Sequence, residues 1–148
     1  MGVELTELDF DVLKEPWNVY QLEEGPILRT KYVLTRVVRK REEGGRFGYA
    51  FKGRNIVSIS HFPPELRGPP SPRIYSPEEL QASIIDDDVR YSTIVEEWNE
   101  YIAEDGASIR VKLVVVKVSR TDKTDRDGEP IYLVQTSVLP QILPPKKV

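Results

Sequence analysis

Residues 17–25, with the sequence WNVYQLEEG, return 81 positions later as residues 98–106, WNEYIAEDG. The match continues without a gap, and ten of the 23 positions between Trp17 and Arg39 are identical to their partners. Unrelated segments of this length share about one or two identities, so the repetition indicates an internal duplication. The sequence therefore predicts two like units related by an approximate internal twofold axis.

Each unit has the pattern of a β-hairpin followed by a third strand. In the first unit, residues 17–22 lead through the turn Glu-Glu-Gly-Pro into a return strand over residues 27–38. Apolar and polar side chains alternate along this return strand, which is typical of a strand with one buried face. The third strands are residues 55–62 and residues 131–139, and both run into proline. We expect a mainly β fold of two homologous antiparallel modules, arranged as a small barrel or a sandwich.

The two long strands lose their polar face towards their C-terminal ends. Val33 and Leu34 are consecutive apolar residues in the first unit, and residues 114–116 are three consecutive valines in the second. A strand that starts half-exposed and ends buried on both sides usually bends. We therefore expect each long strand to pass from one sheet into another.

A proline-rich linker separates the units. Residues 63–77 hold six of the twelve prolines, a composition typical of an extended segment. Ser76, Pro77 and Glu79 have the spacing of a capping box. This spacing predicts one short helix, over residues 77–84.

Residues 9–13 and residues 89–95 occupy corresponding places before the two hairpins, and we expect a strand in each, with a helical turn as the alternative. The resulting domain prediction is a first β repeat over residues 1–70, followed by the linker helix and second β repeat over residues 71–148. A unit of about 65 residues buries only some 60% of its unfolded surface. The two repeats are therefore expected to share an interface, and one compact domain is an alternative to two.

The composition excludes several classes of protein. The chain has no cysteine, which excludes disulfides, thiolate metal sites and thiol nucleophiles. One methionine, three asparagines and four glutamines stand against 45 charged residues, a pattern that predicts a thermophilic origin. No stretch approaches the ~18 apolar residues that span a bilayer, and the acidic N-terminus does not resemble a signal peptide. We expect a cytoplasmic protein without membrane contact.

No motif assigns a catalytic, metal-binding or cofactor-binding residue, and we expect no cofactor. His61 is the only histidine, and the sequence has no Ser-His-Asp pattern, phosphate-binding glycine loop or zinc-protease motif. Residues 86–88 (DDD) and 122–129 (DKTDRDGE) are acidic, but the second run lacks the spacing of a calcium loop, and both are interpreted as turns. A catalytic site made of carboxylates alone is the third functional alternative.

The duplicated residues Trp17 and Trp98 have two interpretations. In the first, each ring anchors a small core, while Asn18 and Asn99 satisfy backbone groups near a strand start. In the second, both rings are exposed and bind a ligand twice. Because structural residues are what a duplication first preserves, we expect both rings to be mostly buried.

The two units differ most in the connection between their second and third strands. From Arg36 to Arg54 the first unit has a net charge of +5, whereas the corresponding loop of the second unit has a net charge of −1. Three aromatic residues at alternate positions beside these cations are typical of a platform for single-stranded nucleic acid. The alternative is a long hairpin whose aromatic side chains fold back into the core. The candidate binding surface consists of Arg39, Lys40, Arg41, Arg46, Phe47, Tyr49, Phe51, Lys52 and Arg54.

The leading functional prediction is a non-enzymatic binding or scaffolding protein, because two copies of a unit without a catalytic motif suit contact better than catalysis. The alternative is a single-stranded nucleic-acid-binding protein that uses the hairpin over residues 39–54. Residues 1–74 have a net charge of +2 and residues 75–148 a net charge of −5. The basic part of one chain can therefore meet the acidic part of itself or of another copy. We expect a protein partner or self-association, with nucleic acid as the alternative partner.

Overall fold

The computed structural model of the chain describes residues 4–145. Within this range, ten strands form two antiparallel sheets, and neither sheet closes into a barrel. The strands of the first half are β1 (Glu4–Leu8), β2 (Phe10–Lys14), β3 (Asn18–Leu22), β4 (Ile27–Arg41) and β5 (Phe47–Ser60). The helix α1 (Pro77–Ala82) precedes β6 (Ile84–Asp86), β7 (Tyr91–Val95), β8 (Asn99–Ala103), β9 (Ser108–Thr124) and β10 (Pro130–Leu143).

Each sheet is built around one long strand. In the first sheet, β5 pairs along the whole length of β4, while β3 and β1 pair with the two ends of its other edge. In the second sheet, β10 pairs along β9, while β8 and β6 pair with the two ends of its other edge. Each sheet is completed by a strand from the other half of the chain, because β7 pairs with β3 and β2 pairs with β8.

The two long strands each contribute to two cores. Leu28, near the start of β4, packs in one core with Val118, near the end of β9. Val37, near the end of β4, packs in the other core with Ile109, at the start of β9. A bulge at Thr35 in β4 and another at Val116 in β9 interrupt the pairing between these portions. The expectation that each long strand passes into another sheet is wrong, since each stays in one sheet and contributes to a different core at each end.

Glycine forms both hairpin turns of the repeated sequence motif. Gly25 and Gly106 have positive φ angles of 122° and 90°, a region that side chains with a Cβ rarely adopt. The predicted turns are confirmed, with Gly25 N–H donating to the carbonyl of Leu22 and Gly106 N–H donating to that of Ala103.

The mainly β prediction is confirmed, whereas the small-barrel alternative is wrong because both sheets are open. The expected strands over residues 9–13 and 89–95 correspond to β2 and β7. The capping box of Ser76 and Glu79 is present, although the helix ends at Ala82, two residues before its predicted end. The third strands are longer than predicted, since β5 already begins at Phe47. Within residues 4–145, no helix is long and apolar enough to span a bilayer.

Candidate binding surface

Strand alternation divides the predicted surface between the two sides of the first sheet. Arg39, Arg41 and the three aromatic residues lie on the same inner side as the buried Val37, which pairs opposite Phe51. Lys40, Lys52 and Arg54 lie on the outer side. Arg46 is exposed, next to the tight turn Glu43–Gly45. The structure therefore does not bring all nine predicted residues together on one face.

The inner residues of the hairpin hold the two halves of the chain together. Tyr49 Oη donates to Asp105 Oδ2 at 2.7 Å, and Arg39 Nη1 donates to the same oxygen at 3.3 Å. Phe51 packs edge-to-face on Tyr32, with ring centroids 6.4 Å apart. The remaining aromatic residue, Phe47, is 44% exposed, and the Arg39 guanidinium lies 4.4 Å from its ring centroid.

The same cluster occurs on the second sheet with the roles of the two halves exchanged. Arg120 and Tyr132 both hydrogen-bond to the carboxylate of Glu24, which lies in the hairpin turn of the first half. Burial and the Glu24 carboxylate raise the pKa of Tyr132. Burial and the Asp105 carboxylate raise the pKa of Tyr49 to about 12. Burial would raise the pKa of Asp105, but the hydrogen bonds that it accepts from Tyr49, the Ala107 N–H and Arg39 lower it.

Buried asparagines bridge the two sheets reciprocally. Asn18 Nδ2 donates to the carbonyl of Leu113 at 3.0 Å, and Asn99 Nδ2 donates to the carbonyl of Tyr32 at 2.8 Å. Both asparagine side chains are 2% exposed. The expectation that they satisfy backbone groups is confirmed, and the groups belong to the opposite sheet.

Two buried tyrosines make a second reciprocal pair of contacts. Tyr20 Oη donates to Glu96 at 2.6 Å, and Tyr101 Oη donates to Glu15 at 2.7 Å. Burial, followed by the carboxylate partner, raises the pKa of both tyrosines. Four carboxylates of the chain are thus bound by tyrosine hydroxyls between the two halves: Glu15, Glu24, Glu96 and Asp105.

The prediction that Trp17 and Trp98 anchor the cores is wrong. Trp17 is 40% exposed and Trp98 is half-buried, because Asn18 and Asn99 take the inward positions and alternation turns the preceding side chains outward. Lys31 Nζ lies 5.6 Å from the centroid of the Trp17 ring. The outward orientation of both tryptophans could have been predicted from the alternation of inward and outward positions along the motif.

Six cations lie on the outer side of the first sheet, along β4 and β5; we call this surface the basic face. In β4 its cations alternate with inward residues that are buried or half-buried, and across the β4–β5 ladder Arg36 lies directly opposite Lys52. They are Arg29, Lys31, Arg36, Lys40, Lys52 and Arg54.

The cations of the basic face have few acidic partners. Arg36 pairs with Glu7 of β1 at 2.7 Å, and Arg29 donates to the hydroxyl of Ser60. Among residues 4–145, no carboxylate lies within ion-pair distance of Lys40, Lys52 or Arg54. Much of this positive charge therefore faces solvent.

The outer side of the second sheet has the opposite character. Each of its five cations is paired: Lys14 with Glu97 at 3.1 Å, Arg110 with Glu100 at 3.7 Å, Lys112 with Glu96 at 3.5 Å, Lys117 with Asp87 at 2.7 Å and Lys123 with Asp122 at 3.5 Å. The helix α1 also borders this face and encloses a groove of about 610 Å³ with β9 and β10.

Acidic side chains meet at two other places. A surface cleft of about 270 Å³ is lined by Glu23, Glu24, Asp86, Asp88, Val89 and Arg90. The carboxylates of Asp125, Asp127 and Glu129 approach within 4.8 Å of one another in the β9–β10 turn. There Asp125 accepts hydrogen bonds from the backbone N–H groups of residues 127 and 129, which supports the predicted turn.

No protein-family model matches this chain, and neither the comparison with curated proteins nor the comparison with solved structures finds a similar protein.

Proposed function

We propose that this chain acts by binding an anionic partner and that the basic face is its binding surface. The observation that carries the proposal is the contrast in charge pairing between the two outer sides. All six cations on the strands of the second sheet have a carboxylate partner, whereas Lys40, Lys52 and Arg54 have none within the described residues. Like charges on one face repel each other, and an anionic partner relieves that repulsion.

The carboxylates support binding over catalysis. A general acid or base needs a carboxyl group that can reach a substrate. Glu15, Glu24, Glu96 and Asp105 instead each accept a hydrogen bond from a tyrosine between the two halves of the chain. Their contacts stabilise the fold, so a carboxylate enzyme remains the weaker alternative.

Charge reversal tests the basic face. We expect the triple variant Lys40→Glu/Lys52→Glu/Arg54→Glu to lose at least about tenfold in affinity for labelled polyglutamate or oligonucleotide at low salt, measured by fluorescence anisotropy. The matched control reverses three cations of the second sheet, Lys14→Glu/Lys117→Glu/Lys123→Glu, and changes the net charge equally. Equal losses in both variants would indicate a response to net charge alone and would contradict the proposal. Circular dichroism checks that both variants are folded.

A second copy of the chain is another candidate partner. The cleft lined by Glu23, Asp86 and Asp88 offers three carboxylates, besides the Glu24 carboxylate bound by Tyr132, on a surface distinct from the basic face. A basic face on an acidic cleft is a head-to-tail contact, which forms rings or open chains. Sedimentation velocity at low salt should then show association that rises with concentration and disappears in the Lys40→Glu/Lys52→Glu/Arg54→Glu variant.

We also infer that the two halves arose by duplication and are related by an approximate twofold axis. The ten identities between residues 17–39 and residues 98–120 support this. The reciprocal contacts support it as well. Leu113 and Tyr32, the partners of Asn18 and Asn99, are 81 positions apart. Glu15 and Glu96, the partners of Tyr101 and Tyr20, are also 81 positions apart. The proposed duplication explains why the scaffold is alike in both halves while one outer side has changed.

A further inference from the structure

We infer that the anionic partner is a single-stranded nucleic acid, whose backbone lies along the basic face and one of whose bases stacks on Trp17. The inference rests on the proposed function and adds the class of ligand. The aromatic contact is then made by Trp17 on the outer side of the first sheet, and not by the three aromatic residues of the hairpin, which lie on the inner side.

The cations of the basic face form a row rather than a cluster. Lys31 lies near one end and Lys40 at the other, and a strand rises about 3.3 Å per residue, so the row is ~30 Å long. Lys52 pairs opposite Arg36 and Arg54 opposite Val33, which places them between the two ends. Spaced positive charges along an extended path match the repeated phosphates of a nucleic-acid strand.

Trp17 supplies an aromatic surface at the end of this row. It precedes β3, next to Lys31, and it is 40% exposed. Ile56 pairs opposite Lys31 and is 42% exposed, so a second exposed apolar side chain lies across Lys31 from the ring. Every base has a π-face, so an exposed indole among cations binds single strands with little dependence on sequence.

The corresponding residue on the second sheet lacks these properties. Trp98 is half-buried, with Arg110 and Lys112 at 4.8 Å and 5.9 Å from its ring centroid. Both cations are paired with glutamates. Trp98 is therefore an internal control for the proposed role of Trp17.

The aromatic surface favours a single strand over other polyanions. An acidic polypeptide would satisfy the cations but would make no use of an exposed indole. Paired bases within a duplex have their faces covered by their neighbours, so Trp17 could not stack on them.

Alanine substitution of each tryptophan in the full chain tests the stacking contact. The probes are labelled single-stranded DNA and RNA of about 12 nucleotides, within the usual site sizes, titrated at low salt by fluorescence anisotropy. We expect Trp17→Ala to weaken binding by about 5- to 100-fold, the range measured for base–aromatic stacking, Trp17→Phe to retain most of the affinity, and Trp98→Ala to change it less than about twofold.

Salt dependence tests the phosphate contacts independently. Each neutralised phosphate of a single strand contributes about −0.7 to the slope of log K against log salt concentration. The variant Lys40→Ala/Lys52→Ala/Arg54→Ala should therefore reduce the magnitude of the slope by about 2. The variant Lys14→Ala/Lys117→Ala/Lys123→Ala should leave the slope unchanged.

The outcomes separate this inference from the proposed function. Binding of polyglutamate but not of oligonucleotides overturns the inference and leaves the basic face as a protein-binding surface. Oligonucleotide binding that is unaffected by Trp17→Ala, or equal affinity for single strands and for the duplex of the same sequence, overturns the stacking contact. Absence of binding to any polyanion at tens of micromolar protein overturns both proposals.

Discussion

The two sheets agree on their inner sides and differ on their outer sides. Inside, Tyr20 and Tyr101 make the same hydrogen bond to a glutamate of the opposite half. Outside, the cations of the second sheet are paired with carboxylates, whereas those of the first are mostly free of them within residues 4–145. The inner contacts are those that the fold requires in both places. The unpaired cations have no such counterpart in the other sheet, and the proposed binding function rests on this contrast.

The largest effect should come from removing the shared interior. We expect Tyr20→Ala and Tyr101→Ala each to lower the free energy of unfolding by about 3–5 kcal/mol, as for other large buried aromatics. Urea denaturation measures both variants. A large cost in one and a small cost in the other would break the proposed equivalence of the two interiors.

Removing the asparagine bridges should have the second largest effect on the free energy of unfolding. Asn18→Ala and Asn99→Ala each leave a carbonyl of the opposite sheet without its side-chain donor, and we expect each to cost about 1–3 kcal/mol. Because the contacts are reciprocal, the two costs should be alike in urea denaturation. An Asn18→Ala variant as stable as the original protein would mean that the bridge is dispensable on that side.

Alkaline pH should weaken the contact between the halves. Burial and the Asp105 carboxylate raise the pKa of Tyr49 to about 12 in the folded protein, above its usual 10.0. Because this pKa is higher in the folded protein than in the unfolded chain, the protonated tyrosine contributes its full stabilisation below pH ~10. That contribution to the free energy of unfolding is lost as the pH rises from about 10 towards 12. We expect the stability difference between the original protein and Tyr49→Phe to shrink over this window in denaturation curves. A constant difference would contradict the burial and carboxylate contact assigned to Tyr49.

The tryptophans should contribute less than core aromatics. We expect Trp98→Ala to cost about 1–2 kcal/mol, since the ring is half-buried under two cations, and Trp17→Ala at most about 1 kcal/mol. Thermal and urea denaturation provide the comparison. A cost of core size at Trp17 would restore the anchoring role that the structure contradicts.

The smallest effects should come from the outer charges. Lys40→Ala should change stability by less than about 0.5 kcal/mol, because no carboxylate partner is lost. Lys117→Ala removes its pair with Asp87 and should cost about 0.2–1 kcal/mol. A stability loss at Lys40 larger than at Lys117 would mean that the basic face has a structural role.

The alternation of side chains along the strands explains which inward and outward orientations could be predicted from the sequence. The buried Asn18, Tyr20 and Leu22 share one side of β3, so the same pattern predicts that Trp17 faces outward. The interpretation of Trp17 as a core anchor followed the size of its side chain instead. Phe47, Tyr49 and Phe51 share a side for the same reason, and their inward orientation follows the alternative that was left open for the hairpin.

The pairing of distant strands could not be predicted from these patterns. The sequence repetition at an offset of 81 positions indicates that β2 and β7 correspond. It is equally consistent with each of these strands pairing within its own half of the chain. The short strands β1 and β6 have weak patterns of their own and form on the free edges of β4 and β9. The cation pairing is equally hidden, since Glu96 and Asp87 reach their partners only through the tertiary fold.

The exchange of β2 and β7 between the sheets has a consequence for the order of events during synthesis. Sheet pairing between residues as distant as Gln21 and Ser92 raises the contact order, and high contact order slows folding. Neither sheet can be completed while only the first half has left the ribosome, because β3 still lacks β7 along its free edge. The first half therefore keeps an open strand edge until β7 emerges, and both sheets and both cores are complete only after β9 and β10 have followed.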